Sequence, residues 1–84
     1  MFKEEVILLN DIESVREFVE SAIFFLGDIQ LIQGEHKADG KSILNIVSFD
    51  LKEPLKIRVI HDNVQEINAF MGKISKYLIT EKEK

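Results

Sequence analysis

The sequence predicts one α+β domain, in which a four-stranded antiparallel sheet is covered on one face by three helices. Four segments have the β-branched or alternating apolar pattern of strands, and three have apolar residues at the three- and four-residue spacing of a helix. Their order is strand, helix, strand, strand, helix, strand, helix. Because each helix has one apolar face, packing the helices on one side of the sheet buries every apolar surface together.

The first two elements are a strand and a helix. Residues 2–9 contain an apolar, β-branched run that stops at Asn10 and Asp11, and either of these can cap the helix that follows. Glu13 lies three residues after Asn10, as in a capping box, and Gly27 is a typical helix stop. The predicted apolar face of this helix consists of Ile12, Val15, Phe18, Val19, Ala22, Ile23 and Leu26.

The middle of the chain predicts a hairpin and a short helix. Residues 28–33 alternate partly between polar and apolar side chains, a turn follows at residues 34–35, and residues 36–38 form a short return strand. Residues 42–49 suit a short helix with apolar residues on one side. A strand is the alternative there, because residues 46–47 are a β-branched pair.

The last two elements are a strand and a helix. Residues 55–60 follow Pro54, which ends the preceding element, and they show the clearest alternation of apolar and polar side chains in the chain. Residues 61–63 can cap the helix beyond them. The apolar face of that helix is formed by Val64, Ile67, Phe70, Met71, Ile74 and Tyr77 or Leu78. No linker or repeat interrupts the chain, so residues 1–84 are predicted to form a single domain.

Composition narrows the classes of partner. The 15 acidic residues outnumber the 11 basic ones, which gives a net charge of −4 and disfavours binding to a phosphate backbone. No apolar run reaches the roughly 18 residues of a membrane span. The amino terminus has no basic region followed by an apolar run, and the chain has no cysteine. We therefore expect a cytoplasmic protein with neither nucleic acid nor membrane among its partners.

Enzymatic chemistry has little support in the sequence. There is no Ser-His-Asp set, phosphate-binding loop or Gly-rich nucleotide motif, and the four glycines are isolated. His36 and His61 are far apart and are not surrounded by a set of carboxylates that suggests a metal site, although Asp62 adjoins His61. Each histidine is therefore expected to be a solvated residue at a strand end. We expect no enzyme activity, no cofactor and no metal.

Ser42 can have two roles. Its hydroxyl can cap the short helix, a contribution of about 1 kcal/mol. It can also accept a phosphoryl group, because a helix amino terminus stabilises added negative charge. The capping role and the phosphate-accepting role are compatible.

The element order, together with residues 40–48, resembles the HPr family, the small phosphocarriers of the bacterial sugar phosphotransferase system. Residues 25–31 are similar to the end of that family's first helix and its second strand, and residues 40–48 to its regulatory-serine motif. The resemblance implies an HPr-like open-faced β-sandwich and makes Ser42 a candidate for regulatory phosphorylation. It also implies that an apolar patch docks protein partners here, formed by Ile43, Leu44 and Val47.

The resemblance fails at the family's carrier site, a histidine in a His-x-Arg-Pro context at the start of the first helix. Extending the alignment without gaps places Asp11 at the histidine position, Glu13 at the arginine position and Ser14 at the proline position. Imidazole forms a labile phosphoramidate and arginine offers the phosphate a fork of donors, whereas Glu13 would repel the phosphate. The chain is therefore interpreted as a divergent member that lacks the carrier histidine.

Three functional hypotheses follow. The first is a regulatory or protein-binding relative, whose partners would be a serine kinase/phosphatase, a transcription regulator or phosphotransferase enzymes. The second is an atypical phosphoryl acceptor that uses Asp11 and forms an acyl phosphate. The third is a structural interaction module unrelated to sugar transport.

Overall fold

The computed structural model describes residues 1–79, and its elements follow the predicted order. Residues 80–84 of the predicted domain lie outside the described residues. The strands are β1 (Phe2–Ile7), β2 (Asp28–Gln33), β3 (His36–Asp39) and β4 (Leu55–Ile60). The helices are α1 (Ile12–Ala22), α2 (Ile43–Ile46) and α3 (Val64–Lys73), and a 3-10 turn at Ser75–Tyr77 follows α3.

The strands form one antiparallel sheet in the order β1-β4-β2-β3. Alternate side chains of the central strand β4 are buried, namely Leu55, Ile57 and Val59, while Lys56 between them is exposed. The helices cover the buried face and leave the other face open, as the strict alternation predicts. The structure confirms the predicted class: an α+β fold with an open-faced four-stranded sheet and three helices.

The core is centred on Phe18 of α1, which is completely buried. Its ring makes edge-on contacts with Phe70 of α3 at a centroid distance of 6.3 Å and with Tyr77 at 6.2 Å. These contacts join α1 to α3 and to the turn beyond it. Edge-on aromatic pairs of this kind add to the stabilisation gained from burial.

Helix α1 is shorter than its apolar pattern predicts. It ends at Ala22 with Ile23 as its C-cap, well before Gly27. The chain then turns towards β2, so Phe25 enters the core and Leu26 does not. The three-residue spacing of apolar residues continues past the end of the helix, and the predicted stop at Gly27 is wrong for that reason.

The final helix is also interrupted. Helix α3 ends at Lys73, and the 3-10 turn carries Tyr77 into the core. The segment beyond runs along the edge of β1, where Ile79 N–H donates to the Val6 carbonyl at 2.9 Å and Leu8 N–H donates to the Tyr77 carbonyl at 2.9 Å. This pairing covers backbone groups that an edge strand would otherwise leave open. No helix within residues 1–79 has the length and apolar character needed to cross a lipid bilayer.

Candidate functional site

The amino terminus of α1 is organised around the Asp11 carboxylate. Its Oδ1 accepts a hydrogen bond from the Ser14 backbone N–H at 2.9 Å, which makes Asp11 the N-cap. This backbone bond is the main cause that lowers the pKa of Asp11, with smaller contributions from the Ser14 hydroxyl and the charge of Lys52. Asp11 is therefore ionised at neutral pH, and one of its oxygens is committed to the helix.

The predicted capping box between Asn10 and Glu13 is wrong. Asn10 has a φ of 77°, in the left-handed region that asparagine tolerates better than most residues. Its N–H donates to the Leu51 carbonyl at 2.8 Å, which holds the loop before α1 against the loop after α2. Asp11 has the extended backbone of an N-cap instead, so the cap lies one residue later.

The chemistry open to Asp11 is limited by its surroundings. A phosphoryl donor is anionic, and Glu13 adds a second carboxylate in the first turn of α1. A carboxylate of lowered pKa is also a weak nucleophile. Both histidines lie on other elements: His36 begins β3, and His61 follows β4. Within residues 1–79, no three His, Cys, Asp or Glu side chains are grouped as a metal ion would require.

His61 departs from the expected solvated position. Its ring packs on Phe25 at a centroid distance of 5.3 Å, and its Nδ1 accepts a hydrogen bond from the Asn63 N–H at 2.9 Å. The residue is half-buried, whereas His36 is exposed. Phe25 enters the core where the chain has already left α1. The helical spacing of apolar residues therefore could not predict its contact with His61.

Ser42 lies at the start of α2 and is half-buried. Its Oγ accepts a long hydrogen bond from the Asn45 N–H at 3.4 Å, and its own N–H donates to the Asp39 carbonyl at 3.1 Å. The structure therefore confirms the predicted N-cap. Within residues 1–79, this long bond is the one hydrogen bond that the hydroxyl makes.

Lys41 is a feature that the sequence reasoning missed. Its backbone N–H donates to Asp39 Oδ1 at 2.9 Å, which tightens the turn into α2. Its Nζ donates to the carbonyls of Phe25 at 2.6 Å and Gly27 at 3.0 Å. The ammonium group thus joins α2 to the segment after α1. No local sequence pattern predicts this contact, because the acceptors are backbone carbonyls of residues that are distant in sequence.

The three residues of the predicted docking patch do not share one environment. Leu44 is 82% exposed and Ile43 is 40% exposed, whereas Val47 is half-buried and packs against the core. Ile46 is completely buried and anchors the helix. Helix α2 therefore presents Ile43 and Leu44 outwards, on the layer of helices that also contains α1.

Comparisons with known proteins give matches in structure only. No protein-family model matches the chain, and no curated protein matches it in sequence. Among solved structures, HPr-C-His from Thermoanaerobacter tengcongensis is similar, with a TM-score of 0.70, 23% identity, and coverage of 88% of this chain and 92% of that one. The histidine-containing phosphocarrier protein of Mycoplasma has a TM-score of 0.67 and 20% identity, with 90% and 93% covered. The phosphocarrier protein HPr of Bacillus anthracis has a TM-score of 0.61 and 20% identity, with 87% and 94% covered.

These similarities extend over nearly the whole length of each protein. They agree with the β1-β4-β2-β3 sheet and with the placing of three helices on one face. Identities of 20–23% establish the architecture, whereas function depends on the residues of the site. The chain therefore has the fold of the HPr phosphocarriers, with Asp11 as the capping residue of its first helix.

Proposed function

We propose that this protein is a non-enzymatic, cytoplasmic HPr-like regulator of the phosphotransferase-system family that binds other proteins through α2 and carries no phosphate on α1. The observation that carries the proposal is the exposure of Leu44 and Ile43 on a helix whose Ile46 is fixed in the core. A rigid element with two apolar side chains facing solvent loses little conformational freedom when it binds.

The geometry of α2 supports a docking role. Ser42 caps its start, and the Ser48 hydroxyl donates to the Asn45 carbonyl at 2.6 Å near its end. Burying Leu44 in a partner would contribute about 1.5–3 kcal/mol. Exposed apolar groups on a fixed element are typical of protein-binding surfaces. The partners we propose are a serine kinase/phosphatase, a transcription regulator or phosphotransferase enzymes.

The absence of carrier chemistry is tested by phosphoryl transfer. The purified protein is incubated with enzyme I and labelled phosphoenolpyruvate, with an ordinary HPr as the positive control. We expect no label on this chain, because Asp11 is engaged by Ser14 and stands beside Glu13. Hydroxylamine-sensitive label that disappears in Asp11→Asn would contradict the proposal and favour the atypical acceptor.

Ser42 is the residue through which we propose that binding is regulated. Its hydroxyl makes one long bond, and it directly precedes Ile43 and Leu44. A phosphate there would place about two negative charges beside the apolar side chains and oppose their desolvation. A kinase assay tests this, with Ser42→Ala as the negative variant and Ser48→Ala as the matched control. Phosphate retained by Ser42→Ala would refute the assignment.

The docking surface is tested with a charge placed on α2. Leu44→Asp should abolish capture of the protein's partners from the native cell. Asn45→Asp should leave capture intact, because it adds the same charge at the neighbouring exposed position. If both variants retain every partner, α2 is not the interface. Partners without a connection to sugar transport, lost from Leu44→Asp, would favour the structural module instead.

A further inference from the structure

The α1–β2 loop, residues 23–27, exposes three large apolar side chains. Ile23 is 51% exposed, Phe24 is 74% exposed and Leu26 is 91% exposed. Leu26 is the most exposed of the large hydrophobic residues within the described part of the chain. Phe25, between the last two, is only 6% exposed. The loop therefore anchors one aromatic ring and turns the residues on either side of it outwards.

Phe25 fixes the loop to the core. Its ring lies 5.1 Å from Phe70 and 5.3 Å from His61, measured between centroids. These contacts come from α3 and from the residue that directly follows β4. Phe24 and Leu26 are consequently held outwards by the burial of their common neighbour.

Two further contacts hold the backbone on each side of Leu26. Lys41 Nζ donates to the carbonyls of Phe25 and Gly27 at 2.6 and 3.0 Å. At Gly27 the chain passes so close to β4 that a Cβ would lie 2.1 Å from the Ile60 carbonyl oxygen. Leu26 is thus presented by a loop that is already ordered, which lowers the entropic cost of binding.

The charges around the exposed pair are mainly acidic. Leu26 and Phe24 each border a shallow surface recess. The charged side chains that line the two recesses are Asp28, Asp62, Glu66 and Lys73. Lys41 Nζ, bonded to the carbonyls on either side of Leu26, adds a second ammonium group, so three carboxylates against two ammonium groups leave this edge with an excess of negative charge. An apolar centre with a negative edge complements an apolar socket edged by lysine or arginine.

We propose that the α1–β2 loop is a second docking surface, distinct from α2, which inserts Phe24 and Leu26 into an apolar socket edged by basic residues on another protein. The carboxylates oppose an anionic lipid surface, because like charges would meet there. They also oppose pairing of two copies through this loop, because each copy brings the same negative edge. This surface does not depend on the function proposed for α2.

The occupant is identified by photo-crosslinking. Benzoylphenylalanine replaces Leu26 in the full chain, which is expressed in its native cell and irradiated, and the adduct is sequenced by mass spectrometry. We expect one protein partner, joined at an apolar segment flanked by lysine or arginine. An adduct with lipid, an adduct with a second copy of the chain, or the absence of any adduct would overturn the proposal.

The partner that is found is then purified and titrated against variants of the protein. Leu26→Asp should weaken binding by at least about tenfold, the effect of about 1.4 kcal/mol. Ile12→Asp is the matched control, because it makes a similar apolar-to-acidic change at another exposed side chain, at the opposite end of α1 from the loop. It should leave this affinity unchanged. Equal affinity for wild type and Leu26→Asp, or an equal loss in both variants, overturns the loop surface.

Discussion

Replacing Gly27 with alanine measures how closely the α1–β2 loop packs against the end of β4. The added Cβ would lie 2.1 Å from the Ile60 carbonyl oxygen and 2.7 Å from the Phe25 ring. Real Cβ atoms essentially never lie within 3.0 Å of another heavy atom, so the backbone of this loop or of the end of β4 must shift to admit the methyl group. Gly27 does not have a positive φ, so the penalty is steric and does not arise from the backbone angles of alanine.

The expected loss is near the upper end of the range for overpacking, about 3 kcal/mol, because the obstacle is backbone and cannot change rotamer. For a domain of this size, that loss lowers Tm by about 12 to 24 °C. Gly72→Ala is the matched control, since no atom of residues 1–79, apart from its chain neighbours and the nearby backbone of α3, lies within 4 Å of its added Cβ. It should raise stability by about 0.5 kcal/mol, because alanine is the better helix former.

The assay is thermal unfolding followed by circular dichroism, with urea titration as a second measure. Both variants make the same chemical change in the same protein, so the difference between them reports the environment of each glycine. A Tm for Gly27→Ala equal to that of the wild type would refute the close approach to β4. It would also remove one of the contacts that hold Leu26 outwards.

Three further predictions concern the contacts between α1 and the turn after α3. Phe18→Ala should destabilise the protein by about 3–5 kcal/mol in urea titrations, because it removes a completely buried ring and its contact with Phe70. The pKa of Tyr77 is raised to about 12 by burial and by its hydrogen bond to Glu17, so the neutral phenol is favoured in the folded state. Stability should therefore fall as pH rises from about 10 to about 12, and Tyr77→Phe should flatten that slope. The pKa of Glu17 is lowered by hydrogen bonds from Lys76 and then Tyr77, so its contribution is present above pH 4.5 and is lost as pH falls below that value. Unfolding midpoints of Glu17→Gln measured across acid pH should lack this loss, and an unchanged profile would contradict the role of the carboxylate.

The pattern of apolar residues was sufficient to predict the α+β fold class. Alternation in residues 55–60 predicted a strand with one buried face, and Phe18 stood on the predicted core side of α1. The ends of the helices could not be predicted from the apolar pattern alone. Residues 23–26 continue a helical spacing, yet the chain leaves the helix after Ala22, and Phe25 packs on Phe70 while Leu26 is exposed.

The candidate site was likewise predictable from the sequence only in part. The sequence by itself identified Ser42 as a cap and Asp11 as an acidic residue at the start of α1, because capping depends on residue type and near neighbours. Only the tertiary structure revealed that Lys41 donates to the carbonyls of Phe25 and Gly27. Backbone acceptors carry no residue-specific signal, and contacts between distant segments form only when the sheet and helices bring them together. The local chemistry of this protein is therefore encoded in short stretches of sequence, whereas the surfaces it presents are decided by packing.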